Sequence, residues 1–122
     1  MPGKRFIVEL GMGADLHGQD ATKAAVRAVK DAISRSCLCG VVEIVALEDL
    51  NDMHVTVTVG VPMPEQVDGE AVLEAIPFGR KEIQVVKGGL SVPGLCLPEL
   101  GDKCEDIVVA NAAVTVWVED RA

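Results

Sequence analysis

Three glycines, a carboxylate and an imidazole fall within eight residues at Gly11-Met12-Gly13-Ala14-Asp15-Leu16-His17-Gly18. Asp15 and His17 are separated by one residue, so on extended backbone both side chains project to the same side. An acid orienting an imidazole is the second half of a general base. The same pair offers His17 as a metal ligand with Asp15 as its hydrogen-bonding partner. The stretch leads from an apolar, strand-like segment into an alanine-rich, helix-like one. Unpaired N–H groups collect at a helix start, with about half a positive charge, and hold anions well. This reading makes Asp15 and His17 the acting pair. The binding groups are then Gly11, Gly13, Gly18, Gln19 and Asp20, with Lys23 as the cation. A structural reading stands beside it: Asp15 caps a turn, His17 satisfies loop carbonyls and the glycines make the bend. The residues alone leave both open.

The spacing G-x-G-x4-G is not the dinucleotide fingerprint, which wants G-x-G-x-x-G and an acid about 20 residues further on. It also lacks the Lys-Ser/Thr ending of a P-loop, so nucleotide binding is not expected. His54, the other histidine, sits at the start of a strand-like run and reads as a surface or interface residue. Meeting His17 across a subunit boundary, it would complete a metal site. The cysteines stand at 37, 39, 96 and 104. Cys37 and Cys39 form C-x-C rather than the C-x2-C of zinc knuckles, so buried, free thiols are expected over a four-thiolate zinc site. No resident metal is expected, and no cofactor is identifiable. A Lys87/Ser91 pair beside Gly88-Gly89 is the sole hint of a nucleophile, and such combinations recur by chance.

The elements that position these residues follow from periodicity. Residues 4–10 alternate, with Phe6, Val8 and Leu10 on one face and Arg5, Ile7 and Glu9 on the other, as a half-buried strand does. Asp20 is the expected N-cap of a helix over 21–36. Its apolar stripe is Ala25, Val29, Ala32 and Ile33, and Lys23, Arg27 and Lys30 form a solvated basic stripe. Residues 41–47 read as a strand, 48–52 as a polar turn and 53–61 as a second strand, together an antiparallel hairpin. A short helix is expected over 67–76 and a strand over 81–87. Residues 90–105 read as a long loop of the kind used for lids or subunit contacts. The last strand, 107–119, has apolar residues at every even position.

The order β-α-β-β-α-β-β predicts a single α+β domain over 1–122. It is a two-layer sandwich of ferredoxin-like or chorismate-mutase-like arrangement, with both helices on one sheet face. Only 2 % of residues are aromatic, so the core must be built from Val, Ile, Leu and Ala. The helix-free face is expected to carry Glu9, Glu43, Thr56, Thr58, Asn111, Thr115 and Trp117 among Ile7 and Val45. That mixture predicts a subunit interface and hence a homo-oligomer. A net charge of −8 argues against nucleic acid as a partner. No run of about 18 apolar residues exists, so no membrane partner is expected. The chain also lacks an apolar leader-like segment ahead of Lys4-Arg5-Phe6-Ile7-Val8, so a cytoplasmic location is expected.

The motif Gly11-x-Gly13-x-Asp15-x-His17-Gly18 resembles the signature of the Lin zero-five-twelve family of conserved uncharacterised proteins. The flanking Arg5-Phe6-Ile7-Val8-Glu9-Leu10 and Thr22-Lys23-Ala24-Ala25 are similar to the same family. The resemblance implies that Asp15 and His17 are functional, and it implies no activity. The element order also looks similar to chorismate-mutase-like and YjgF-like trimers with ligand clefts between subunits, which implies a trimer or higher oligomer. Such fold analogy does not give function. The expectation is a cytoplasmic homo-oligomer that binds a small polar or anionic molecule at residues 11–20, with His17 as acid/base if it is an enzyme. The alternatives are a non-catalytic assembly protein whose loop is structural, and a metal site using His17.

Overall fold

In the computed structural model, which describes residues 3–95, 97, 99 and 106–119, the valine-rich strands form one sheet and the helices cover one of its faces. In chain order the elements are β1 (Lys4–Asp15), α1 (Ala21–Ile33), α2 (Cys39–Glu43), β2 (His54–Val61), α3 (Gly69–Leu73), β3 (Arg80–Lys87), β4 (Leu90–Pro93) and β5 (Asp106–Val118). Short 3-10 turns at Leu50–Asp52 and Pro64–Gln66 precede β2 and α3. The sheet order is β1-β5-β2-β3, with β4 pairing the first residues of β5. β2 and β3 run parallel, joined by the crossover through α3, and the other pairs are antiparallel. The result is the expected two-layer α+β sandwich.

Alternation sets the core. The even residues of β5 from Val108 to Val118 and the odd residues of β2 from Val55 to Val61 are all buried. Side chains of period two on adjacent strands share one face, and here that face lies under α1. Asp20 caps α1 by accepting from the Lys23 N–H at 3.0 Å. The helix buries Ala21, Ala24, Ala25, Ala28, Val29 and Ala32.

Alanines alone do not bring α1 down onto β1. The strand meets them with glycine. A Cβ on Gly11 would lie 2.4 Å from the Ala32 nitrogen and 2.5 Å from the Ala28 oxygen. One on Gly13 would lie 2.3 Å from the Ala28 nitrogen and 2.6 Å from the Ala24 oxygen. Helix backbone therefore rests directly on strand backbone.

Three expectations are corrected. Residues 41–47 do not form a strand: Cys39–Glu43 is helical, and there is no hairpin with β2. Val41 and Val45 turn inward at helical i, i+4 spacing, while Val42 and Ile44 are exposed. A run this short has no periodicity that separates the two states. Second, the faces of β1 are reversed. Val8 and Leu10 are exposed and Glu9 is buried, because Glu9 is in phase with Gly11, Gly13 and Asp15, the residues that must face α1. An irregularity between Arg5 and Ile7 lets Phe6 and Ile7 both pack on the core. Glu43 and Val45 likewise leave the sheet with α2 and the turn after it. Third, part of 90–105 is strand β4, while residues 96, 98 and 100–105 lie outside the described residues. Both expected helices are also shorter than 21–36 and 67–76, ending at Ile33 and Leu73.

β1 is an edge strand, and α1 covers part of that edge. Asp31 accepts the outward Met12 N–H at 2.9 Å, and Arg27 Nη1 donates to the Ala14 carbonyl at 2.6 Å. Such side chains occupy the ladder groups that another strand would otherwise pair. The Met12 N–H, and after it the Arg35 guanidinium 2.7 Å away, hold the Asp31 carboxyl below its ordinary value of 3.8, against the opposing effect of burial. A lowered folded-state value means the contribution is complete above the unfolded value and is lost as pH falls through the folded one. The stability gap between the protein and Asp31→Asn is therefore expected to be constant above about pH 5 and to close below pH 4. Urea titrations at stepped pH check this, and a gap that persists unchanged at pH 2 would contradict it.

Candidate functional site

The loop after β1 is organised from within by Asp15. Its side chain is 7 % exposed, and Oδ2 accepts the Asp20 N–H at 2.8 Å. Oδ1 lies 3.6 Å from Arg27 Nη1, on a half-exposed guanidinium. Gly18 completes the fold-over, since a Cβ there would come within 2.9 Å of Asp15 Oδ2. Gln19 adopts φ 49°, the left-handed conformation that turns the chain into the Asp20 cap. Sequence thus dictates a closed bend: an inward carboxylate at the strand end, a glycine over it and a capping aspartate to start the helix.

The expected site residues therefore separate. Gly11 and Gly13 lie beneath α1, where close packing accounts for them, and their backbone is covered rather than open to a ligand. Asp15, Gly18, Gln19 and Asp20 are brought together, with Asp15 oriented towards Asp20 and Arg27. His17 is half-buried in the loop, and Lys23 is exposed on the first turn of α1. Asp20 already occupies the Lys23 N–H of that turn. Of the basic stripe, Arg27 is bound into the loop and the edge of β1. Among the described residues, no three of His, Cys, Asp and Glu converge as metal ligands. Cys37 and Cys39 are free and exposed, contrary to the buried thiols expected, while Cys96 and Cys104 lie outside the described residues. His54 lies on the helix-free face, opposite Trp117.

A second feature was not read from the sequence. A cavity of about 190 Å³ opens between the end of α1, the turn after α3 and the sheet. Glu9 lines it, buried at 7 % exposure, and accepts a hydrogen bond from the Ser36 hydroxyl. The usable signal was phase: Glu9 lies two residues before Gly11, on the side of β1 that the glycines assign to the helix.

The helix-free face carries Val8, Leu10 and Met12 of β1 in a row, beside Thr115, Ala113 and Asn111 of β5. Thr56 and Thr58 of β2 continue the first two rows, and the Trp117 indole N–H donates to Thr56 Oγ1 at 2.9 Å. Thr56, Thr58, Asn111, Thr115 and Trp117 thus lie where the alternation put them.

No curated protein matches the chain. Among solved structures, it is similar to an FtsZ-like protein of unknown function from Nostoc punctiforme PCC 73102, at 50 % identity over 98 % of this chain and 99 % of that one, with a TM-score of 0.91. A family model of conserved hypothetical proteins, Lin0512, matches residues 5–116. With nearly the whole chain inside that match, including the strand, loop and helix around Asp15, this protein belongs to the Lin0512 family of conserved hypothetical proteins.

Proposed function

We propose that the chain is a cytoplasmic, non-catalytic assembly protein that forms a homo-oligomer through the helix-free face of its sheet. The observation that carries this is the exposed row of Val8, Leu10 and Met12, at 48 %, 66 % and 55 % exposure on a sheet face that has no covering layer among the described residues. An antiparallel sheet tolerates water on one face when that face is polar. A contiguous apolar row there marks an interaction surface instead. The alternating threonines suit a second copy, since an isologous contact needs a surface complementary to itself. Covering the two larger side chains, already partly covered, is worth about 1–2 kcal/mol each. Free, exposed Cys37 and Cys39 fit a reducing compartment. Among the described residues, no helix is long and apolar enough to cross a membrane.

The loop supports the same reading, because Asp15 is engaged in holding it closed. A Leu10→Glu variant is expected to sediment as a monomer while melting cooperatively, and His17→Ala to keep the oligomer. Sedimentation velocity measures the subunit number directly, with a trimer or higher expected. A protein that is monomeric at all concentrations would refute the proposal. A His17→Ala variant that keeps its assembly but loses binding of inorganic phosphate would favour a small-anion site at residues 11–20.

A further inference from the structure

The cavity at the end of α1 lies on the helix side of the sheet, so what it does is independent of self-association. Its floor is Val55, Val114 and Val116, and Phe78, 44 % exposed, stands at its rim. Among the described residues, Glu9 is the one charged side chain that lines the cavity, with no lysine, arginine or histidine beside it. A carboxylate among apolar side chains is costly unless charge or hydrogen bonds offset the lost water. Ser36 supplies one hydrogen bond. A carboxylate offers about four lone-pair sites, so one hydroxyl leaves most of its accepting capacity unspent.

We propose that this cavity is a binding site for a small aliphatic ammonium compound, with the cation on Glu9 and the hydrocarbon against the valines and Phe78. The chemistry is a charge-assisted hydrogen bond inside an apolar wall, the usual division of labour in small-molecule sites. Size restricts the ligand. A volume of about 190 Å³ equals roughly six waters at about 30 Å³ each, so the cavity itself takes a body of a few carbons. Glu9 excludes anions of the same shape.

The test uses three isosteres, isopentylammonium, isopentanol and isovalerate, titrated into isotopically labelled protein and followed by amide NMR shifts. The ammonium is expected to shift Glu9, Leu38 and Phe78 saturably, with the alcohol about ten-fold weaker and the carboxylate silent. Glu9→Gln is expected to weaken the ammonium to the level of the alcohol. Phe78→Ala, at the rim, keeps the test usable if Glu9→Gln fails to fold. It should weaken ammonium and alcohol by a similar factor. Equal binding of ammonium and alcohol, or ammonium shifts that spread over surface carboxylates without saturating, would overturn the proposal.

Discussion

Gly13→Ala is expected to destabilise the protein by about 3 kcal/mol or more, the upper end of what overpacking costs. Total stabilities of about 5–15 kcal/mol make that a large fraction. The added methyl would sit 2.3 Å from the Ala28 nitrogen, 2.6 Å from the Ala24 oxygen and 2.6 Å from the Arg27 carbonyl carbon. All three are backbone atoms of α1, so no side chain can rotate away. The helix must lift by about 1 Å, which loosens every alanine contact along it. Gly11→Ala meets the next turn of the same helix in the same way. The two effects should therefore not add, because a helix lifted for one methyl has made room for the other. Gly18→Ala is the control, since its methyl meets only the Asp15 side chain; its cost should be about 1 kcal/mol. Urea melts of the three variants measure this. A Gly13→Ala protein within about 0.5 kcal/mol of the parent would show that α1 does not rest on β1 as described.

Where periodicity was long, the sequence was readable. From Ile107 to Val118 β5 alternates without a break, and β2 repeats valine at every second position, so both strands and their buried face could be assigned. The Asp20 cap placed the start of α1 at the right residue. β1 misled because hydrophobicity points to the wrong face. Its inner side bears Glu9, Gly11, Gly13 and Asp15, while Val8, Leu10 and Met12 face outward. Size carried the information that hydrophobicity hid: alanines at 24, 28 and 32 need a partner surface without side chains, and glycines at alternate strand positions supply it. Residues 41–47 failed for want of length. The Glu9 cavity was illegible because its walls come from five separated segments that only the sheet order brings together.

Asp15→Ala is expected to lose about 2–3 kcal/mol, the next largest effect of a single side chain in this region. The carboxylate is almost wholly buried, and the Asp20 N–H that it accepts is itself part-buried. A hydrogen bond to a charged group contributes about 1.5–3 kcal/mol, and removing the acceptor leaves that N–H without its partner at the entrance to α1. Arg27 adds less. Its guanidinium is half-exposed and 3.6 Å away, so a double-mutant cycle between Asp15→Ala and Arg27→Ala should give a coupling below about 1 kcal/mol. Asp15→Asn keeps the shape and an accepting oxygen, and should fall between the parent and alanine. These values separate the two roles the loop could have. A side chain kept for chemistry is usually removed with little loss, or even a gain, in stability, because active sites sacrifice stability for reactivity. A side chain that closes a loop is not. If Asp15→Asn melts at or above the parent, the carboxylate is held for a ligand and the structural reading of residues 11–20 fails. If it melts well below, with the oligomer intact after refolding, the loop's work is to turn β1 into α1.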